Sequence, residues 1–214
     1  MSNDLVKFDS DTVYTFIDCE TLNLCLNGFH NLPWQIAMIK VKDYKKIGEK
    51  NFYIKWDTDL KISEDAARIT RFNPSVLNRE GKSPEEVYPT IDKWLKECDY
   101  IVGHNILGFD MYLMRGWCKI HNKPYNHFFE KSIDTLSIAR GLKSGHYFKE
   151  QESPFFQYQY KMLNFRKKGM RTSLGELGKY YSIEHDSSKL HDALNDLYLN
   201  LGVWKKLKLE MDRI

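Results

Sequence analysis

Residues 16 to 21 read FIDCET and set Asp18 and Glu20 one residue apart at the end of the apolar, β-branched run VYTFI. Side chains two apart in a strand project to the same face, so the two carboxylates point together if the strand reaches that far. Adjacent anions repel, and a protonated partner, an Arg or Lys, or a divalent cation held by oxygen ligands would relieve them. An isolated DxE is equally well a solvated strand end, so two further segments matter. GHNILGFD puts Asp110 just beyond a second short apolar strand and at the start of a helical pattern. The ground outside strand ends is where open α/β sheets assemble their sites. HDALNDLYL puts His191 near the start of the last helical pattern and Asp196 on the flank of its apolar stripe, where an acid calls for a partner. Each has a plainer reading: Asp110 as a helix N-terminal acid favoured by the macrodipole, His191 as a satisfied boundary histidine, Asp196 as a solvent-facing acid. Their joint occurrence in this order argues for one acidic site.

The elements that must position these residues follow from period and punctuation. A strand pattern spans Thr12 to Ile17, a polar Asn-rich link runs to Pro33, and a second strand pattern starts at Trp34. DYKKIGEK reads as a charged turn into a third strand, NFYIKW, giving an antiparallel meander. SEDAARIT and FNPSVLNREG read as short helices broken at Asn73-Pro74 and stopped at Gly81. Ser83, Pro84 and Glu86 form a capping-box start for a helix with Val87, Ile91, Trp94 and Leu95 on one face, and Pro89 inside it predicts a kink or a later start. After YIVGHN, Met111, Leu113, Met114 and Trp117 mark another amphipathic helix. SIDTLSIAR fits a strand, a helix, or one passing into the other. Gly141 to Met170 shows neither period and reads as a long loop or excursion. SLGELGKYY and the segment from Leu190 onward close the chain as helices, so the order predicts a mixed sheet flanked by helices.

The 214 residues carry 32 Lys and Arg against 29 Asp and Glu, and a net charge of +3 does not by itself argue for a polyanion partner. Local clustering does better. In the excursion, Lys161, Arg166, Lys167, Lys168 and Arg171 gather beside Phe155, Phe156, Tyr158, Tyr160 and Phe165. Cations for phosphates next to aromatic faces for bases are what a single-strand path needs, although a solvated basic loop over a small aromatic cluster would look similar. The four cysteines form no CxxC pair, which favours reduced thiols over zinc or disulfides. With no signal-peptide pattern and no apolar run of about 18 residues, a cytoplasmic setting and no membrane span are expected. The absence of repeats predicts one domain over residues 1–214.

FIDCET, GHNILGFD and HDALND resemble the three exonuclease motifs of the DEDDh, DnaQ-like branch of the ribonuclease H-like superfamily, which includes proofreading 3′-5′ exonucleases, ribonuclease T and oligoribonuclease. ITRFNPSVL with its following Gly, SPEEV, DTLSIAR and SLGELGKYYSI resemble the segments between those motifs, so the resemblance runs from about Val13 to Leu207. It implies an α/β fold with a ribonuclease H-like mixed β-sheet, an antiparallel meander of three strands plus two parallel strands, flanked by helices. It also implies a two-metal hydrolase in which Asp18, Glu20, Asp110 and Asp196 hold two Mg²⁺ or Mn²⁺ ions about 3.5 to 4 Å apart. His191 becomes the general base, a role suited to an imidazole at neutral pH. The other branch places a Tyr at Tyr-x3-Asp spacing, and position 192 is Asp.

By the same resemblance Thr21 and Leu22 contact the terminal nucleotide, Asn105 orients the second-motif loop, and Phe109 lies under the terminal nucleotides or in the core. His104 reads as a structural loop histidine, Asp192 as a helix cap, Trp34 as core, and Gln35 as site floor. The excursion adds Arg166, Lys167 and Lys168 as contacts to upstream phosphates. The sequence departs from the compact proofreading subunits in having three residues, Ile-Leu-Gly, between His104-Asn105 and Phe109-Asp110, and an enlarged link from Asn23 to Asn31. The expected activity is release of nucleoside monophosphates from single-stranded or frayed 3′ ends, DNA before RNA. An oligoribonuclease or RNA-trimming enzyme would use the same apparatus. An inactive binding module would lack a ligand, whereas all five residues are present. No segment names a polymerase or replication partner.

Overall fold

The computed structural model describes residues 11–24, 31–57, 61–186 and 190–212; part of the Asn23 to Asn31 link, including Cys25, lies outside the described residues. Five strands form one sheet in the order β3-β2-β1-β4-β5. β1 (Val13–Thr21), β2 (Pro33–Lys42) and β3 (Lys45–Tyr53) pair antiparallel, while β4 (Tyr100–Gly103) and β5 (Ser132–Asp134) run parallel to β1. The mixed sheet implied by the resemblance is therefore present. β1 continues past Ile17, so both acids lie within the strand, opposite Ala37 and Gln35 of β2. The register slips between Glu20 and Thr21, a bulge of the kind that re-aims side chains beside sites. KKIGEK belongs to β3 rather than to a turn. The reversal is confined to Asp43 and Tyr44, whose φ of 47° and 57° match the strand twist that two-residue hairpins require.

Alternation along β1 decides what each face buries. Ile17 and Cys19 join Ile36 and Met38 beneath α3 (Pro84–Glu97) and α4 (Asp110–Ile120), with Leu95, Met111 and Trp117 filling that layer. Phe16 joins Ala37 and Ile39 on the opposite face, beneath α9 (Ala193–Met211), with Leu197, Val203 and Trp204. By the same period Asp18 and Glu20 share the α9 face with Phe16. α1 (Glu64–Ile69) and α2 (Pro74–Glu80) form as the caps predict: Ser63 and Asn73 accept backbone N–H bonds at their starts. α3 starts at Pro84 and runs through Pro89, so its start is not delayed. Pro89 deprives only the first-turn Glu85 carbonyl of its partner, and both residues are exposed to water.

SIDTLSIAR is a strand passing into a helix, β5 into α6 (Thr135–Ser144). The expected loop from Gly141 to Met170 is corrected: its start belongs to α6 and its centre is α7 (Phe155–Asn164). Tyr158, Gln159, Met162 and Leu163 are buried at helical spacing, and the polar Gln159 inside that stripe is what hid the period. α5 (Asn126–Glu130) and α8 (Leu174–Tyr180) complete the helices used below. Cys19, Cys98 and Cys118 are buried free thiols. Among the described residues no helix is long and apolar enough to cross a membrane.

Candidate active site

β1 outruns its parallel neighbour: pairing with β4 stops at Phe16 and Val102. Beyond that point Asp110, at the first turn of α4, takes over, its Oδ1 accepting the Cys19 backbone N–H at 3.0 Å. One carboxylate thus caps the free edge of the strand that carries the other two. Asp196 arrives from the first turn of α9, whose N-cap is Asp192. Carboxylate oxygens of Asp18, Glu20 and Asp196 lie within 4.8 Å of one another. Asp110 stands behind this trio against Asp18, whose carboxyl it raises more than any other charged neighbour does.

The electrostatics follow from crowding in a dry place. Burial, then Asp110, Glu20 and Asp196, hold the Asp18 carboxyl well above the ordinary carboxylate range. Burial, then Asp196 and Asp110, likewise push Glu20 up. Asp110 is raised by burial to about 7, and Asp196 by burial to about 6. Among the described residues none of the four is in an ion pair. Asp196 Oδ1 is buried with no hydrogen-bond partner. Hard oxygen donors, mutual repulsion and an orphaned buried oxygen together fit a site for hard divalent cations.

His191 precedes the α9 cap in a left-handed conformation, φ 66°. Its backbone N–H donates to Asp196 Oδ2 at 3.1 Å, which carries the exposed imidazole to the rim of the acidic cluster, close enough to lower the Asp196 carboxyl. Asp192 caps Asn195 N–H, as expected, and accepts from Gln35 Nε2 at 3.4 Å. Beside His191 opens a pocket lined by Gln35, Tyr53, Thr70, Arg71 and Asn195, with Trp34 at its base. Trp34 is core, 3% exposed, and its indole N–H donates to Thr70 Oγ1.

The second-motif loop is pinned from β5. Asp134 accepts N–H bonds from Asn105 and Leu107, each at 3.1 Å, and from Leu136 and Ser137 at the start of α6. Asn105 adopts φ 64°, and a Cβ on Gly108 would come within 2.5 Å of its side-chain oxygen, so a larger residue at 108 would displace the Asn105 side chain. His104 is structural: its Nδ1 is 3.0 Å from Thr135 Oγ1, and burial lowers it to about 4. Gln159 of α7 in turn accepts the Asp134 N–H and donates to Ser132 O.

The remaining expected contacts divide. Thr21 and Leu22 follow the acids but are buried; the Thr21 hydroxyl donates to Asn23 O at 2.6 Å, and Leu22 packs with Leu32 and Trp34. Phe109 is half-buried against the α4 core and begins that helix. Arg166 folds back, its guanidinium donating to Leu163 and Phe165 carbonyls at the end of α7, while Lys167 and Lys168 line an exposed groove farther along. Sequence reasoning missed Arg71, Asp134 and Gln159. Asp134 carried a legible signal, an acid just before an apolar helical pattern; Arg71 and Gln159 carried none.

The model of the exonuclease family of the RNase T type matches residues 15–203. No curated protein sequence matches the chain. E. coli Exonuclease I in complex with a dT13 oligonucleotide superposes with a TM-score of 0.75 at 21% identity, over 95% of this chain and 42% of that one. The same enzyme with a dA16 oligonucleotide gives 0.76 at 22%, and its zinc-ion-bound complex with single-stranded DNA 0.75 at 22%, each again over 95% of this chain and 42% of that one. At such identities the likeness shows the fold, and the chain spans about two fifths of the Exonuclease I length. Matched from near the start of β1 to the middle of α9, with first- and third-motif acids clustered and the second-motif Asp110 set against Asp18, the chain belongs to the DnaQ-like, DEDDh-type 3′-5′ exonuclease family.

Proposed function

We propose that the chain is a metal-dependent hydrolase that removes nucleoside monophosphates from single-stranded or frayed 3′ ends, DNA before RNA. One observation carries this reading: carboxylates from β1, α4 and α9 converge with no ion-pair partner among the described residues, and one of their buried oxygens has no hydrogen-bond partner there. Asp18, Glu20, Asp110 and Asp196 would hold two Mg²⁺ or Mn²⁺ ions, which when bound supply positive charge to the attacking and leaving oxygens of an in-line displacement.

The chain's own residues do the rest. Water attacks the terminal phosphodiester phosphorus, the bond to the 3′ oxygen of the preceding nucleotide breaks, and His191 takes the proton the water loses. Its place on an exposed turn leaves the imidazole open to water, while the backbone bond to Asp196 keeps it at the cluster. Thr21 and Leu22 would meet the terminal nucleotide through their backbone, because both side chains are engaged elsewhere. Asn105 and Phe109 would shape the far wall, and Arg166, Lys167 and Lys168 would meet upstream phosphates. The oligo-dT and oligo-dA strands in the Exonuclease I structures support DNA as the first substrate to try.

Side-by-side digestion of 5′-labelled single-stranded DNA, frayed duplex DNA and RNA, with Mg²⁺ or Mn²⁺ and after chelation, tests the reading. Stepwise shortening from the 3′ end that stops on chelation is expected. His191→Ala should lower kcat by roughly 10² to 10⁴ with strand binding retained. Internal cuts, loss from the 5′ end, or full activity in the chelator would refute it.

A further inference from the structure

α6, the segment after α7, and α8 bring five cations to one exposed groove: Lys143, Lys167, Lys168, Arg171 and Lys179. Among the described residues one carboxylate forms ion pairs with them, Glu176, shared between Arg171 at 3.3 Å and Lys179 at 3.4 Å, and Glu210 acts on Lys143 less directly. Lys167 and Lys168 are exposed and form no ion pair among the described residues. At the groove's end stands Tyr180, 62% exposed, wedged edge-on against Tyr181 with ring centres 4.9 Å apart. The Lys143 ammonium sits 3.9 Å from the Tyr180 ring centre and also donates to the Arg171 carbonyl, tying the three segments together. An excess of cations with a firmly held, exposed aromatic is the composition of a single-strand path.

The groove's position relative to the acids can be read from the helices. Next to Arg171 of the groove, Thr172 bonds His104 through its backbone and accepts from the Arg140 guanidinium through its hydroxyl, which ties this segment to the second-motif loop that leads into Asp110. The groove's far end lies by Glu210, which acts on both Lys143 and Tyr181. Glu210 is fourteen residues along α9 from Asp196, roughly 20 Å at a rise of about 1.5 Å per residue.

We infer that this groove is a second nucleic-acid contact, which holds the sugar-phosphate backbone of a single strand whose 3′ end lies at the carboxylates. The inference rests on the exonuclease reading and deepens it: the groove makes long strands better substrates than short ones without entering the chemical step. Lys179 and Tyr180, which play no part at the carboxylates, are its test. The double variant Lys179→Glu with Tyr180→Ala should raise KM for a long oligo-dT by at least about fivefold, the lower end of what one stacked base contributes. Its salt dependence of binding should flatten by about 0.7 in log-log slope for each phosphate the groove no longer neutralises. Cleavage of a dinucleotide, too short to span the distance, should keep its kcat and KM, and Lys179→Arg with Tyr180→Trp should restore long-strand behaviour.

Direct binding of labelled oligo-dT in chelator separates the two ideas. A wild-type chain that binds long strands through the groove but cuts nothing with either metal leaves the groove standing and refutes the exonuclease. A chain that cuts, yet whose variant keeps the wild-type KM and salt slope on long strands, overturns the groove. So would a variant that binds oligo-dT normally and loses only a poly-glutamate probe, which would make the groove a seat for acidic protein.

Discussion

At the scale of single residues, the four acids differ in what the protein asks of them without metal. Asp18 is raised by burial and by its neighbouring carboxylates, and no N–H among the described residues offsets this by donating to its oxygens. Asp110 is also buried, yet its Oδ1 satisfies the Cys19 N–H where β4 gives out. Asp18→Asn should therefore melt above wild type by a few degrees in chelator while cutting no strand, since each kcal/mol moves Tm by about 2–4 °C at this chain length. Asp110→Ala should show no such gain, because the stranded Cys19 donor costs about 1–3 kcal/mol. Thermal melts of the two variants in chelator decide this, and a lower Tm for Asp18→Asn would mean that its carboxylate is a structural partner. The acids and His191 were legible because chemistry fixes their types and the motifs fix their spacing. Arg71 was not, since its left-handed φ of 54° and its place near Asp196 arise only when α1 ends beside the start of α9.

At the scale of elements, the second-motif loop owes its shape to β5 and α7 rather than to its own sequence. Asp134 takes two N–H bonds from that loop and two from α6, and Gln159 fixes Asp134 from behind. Asp134→Ala removes a helix cap and strands two loop donors, which should cost about 2–4 kcal/mol. It should also lower kcat more than it weakens strand binding, because Asp110 begins the helix that the loop aims. Chemical denaturation and single-turnover kinetics would check this. A stable variant with wild-type kcat would show that the loop holds itself. Gln159→Leu should follow in milder form, as it loses one acceptor and one donor. This dependence was hidden in the sequence for two reasons. SIDTLSIAR carries β-branched residues and a helical stripe at once, so the cap signal of its Asp did not say that it would also hold the second-motif loop, and α7 buries a glutamine where the period calls for an apolar residue. Elements with clean punctuation, such as α2 with its Asn73-Pro74 start, were read correctly for the converse reason: cap and stripe agree.

At the scale of the whole molecule, the acidic cluster should set how stability varies with pH. Asp110 at about 7, Asp196 at about 6, Asp134 at about 6, and Asp18 and Glu20 displaced in the same direction all bind protons more tightly folded than unfolded. Their contribution is complete below the ordinary carboxylate pKa of about 4 and is lost as pH rises through the folded values. His104 works the other way: lowered to about 4 by burial, it costs stability in acid, and that cost fades as pH rises toward about 6.5. The five carboxylates outweigh the one imidazole, so the metal-free chain should be most stable near about pH 4 and lose several degrees of Tm as pH rises to about 8.5. Divalent cations compete with those same protons, so the stabilisation by Mn²⁺ or Mg²⁺ should grow with pH, being larger at about pH 8 than at about pH 5.5. Melting curves across this range, with metal and with chelator, should diverge on the alkaline side and meet on the acid side. In Asp18→Asn the alkaline loss and the metal gain should shrink together, because one carboxylate cluster is responsible for both. Equal metal stabilisation at both pH values, or a metal-free Tm that rises steadily to pH 8.5, would separate the cations from these acids and remove the electrostatic basis of the site.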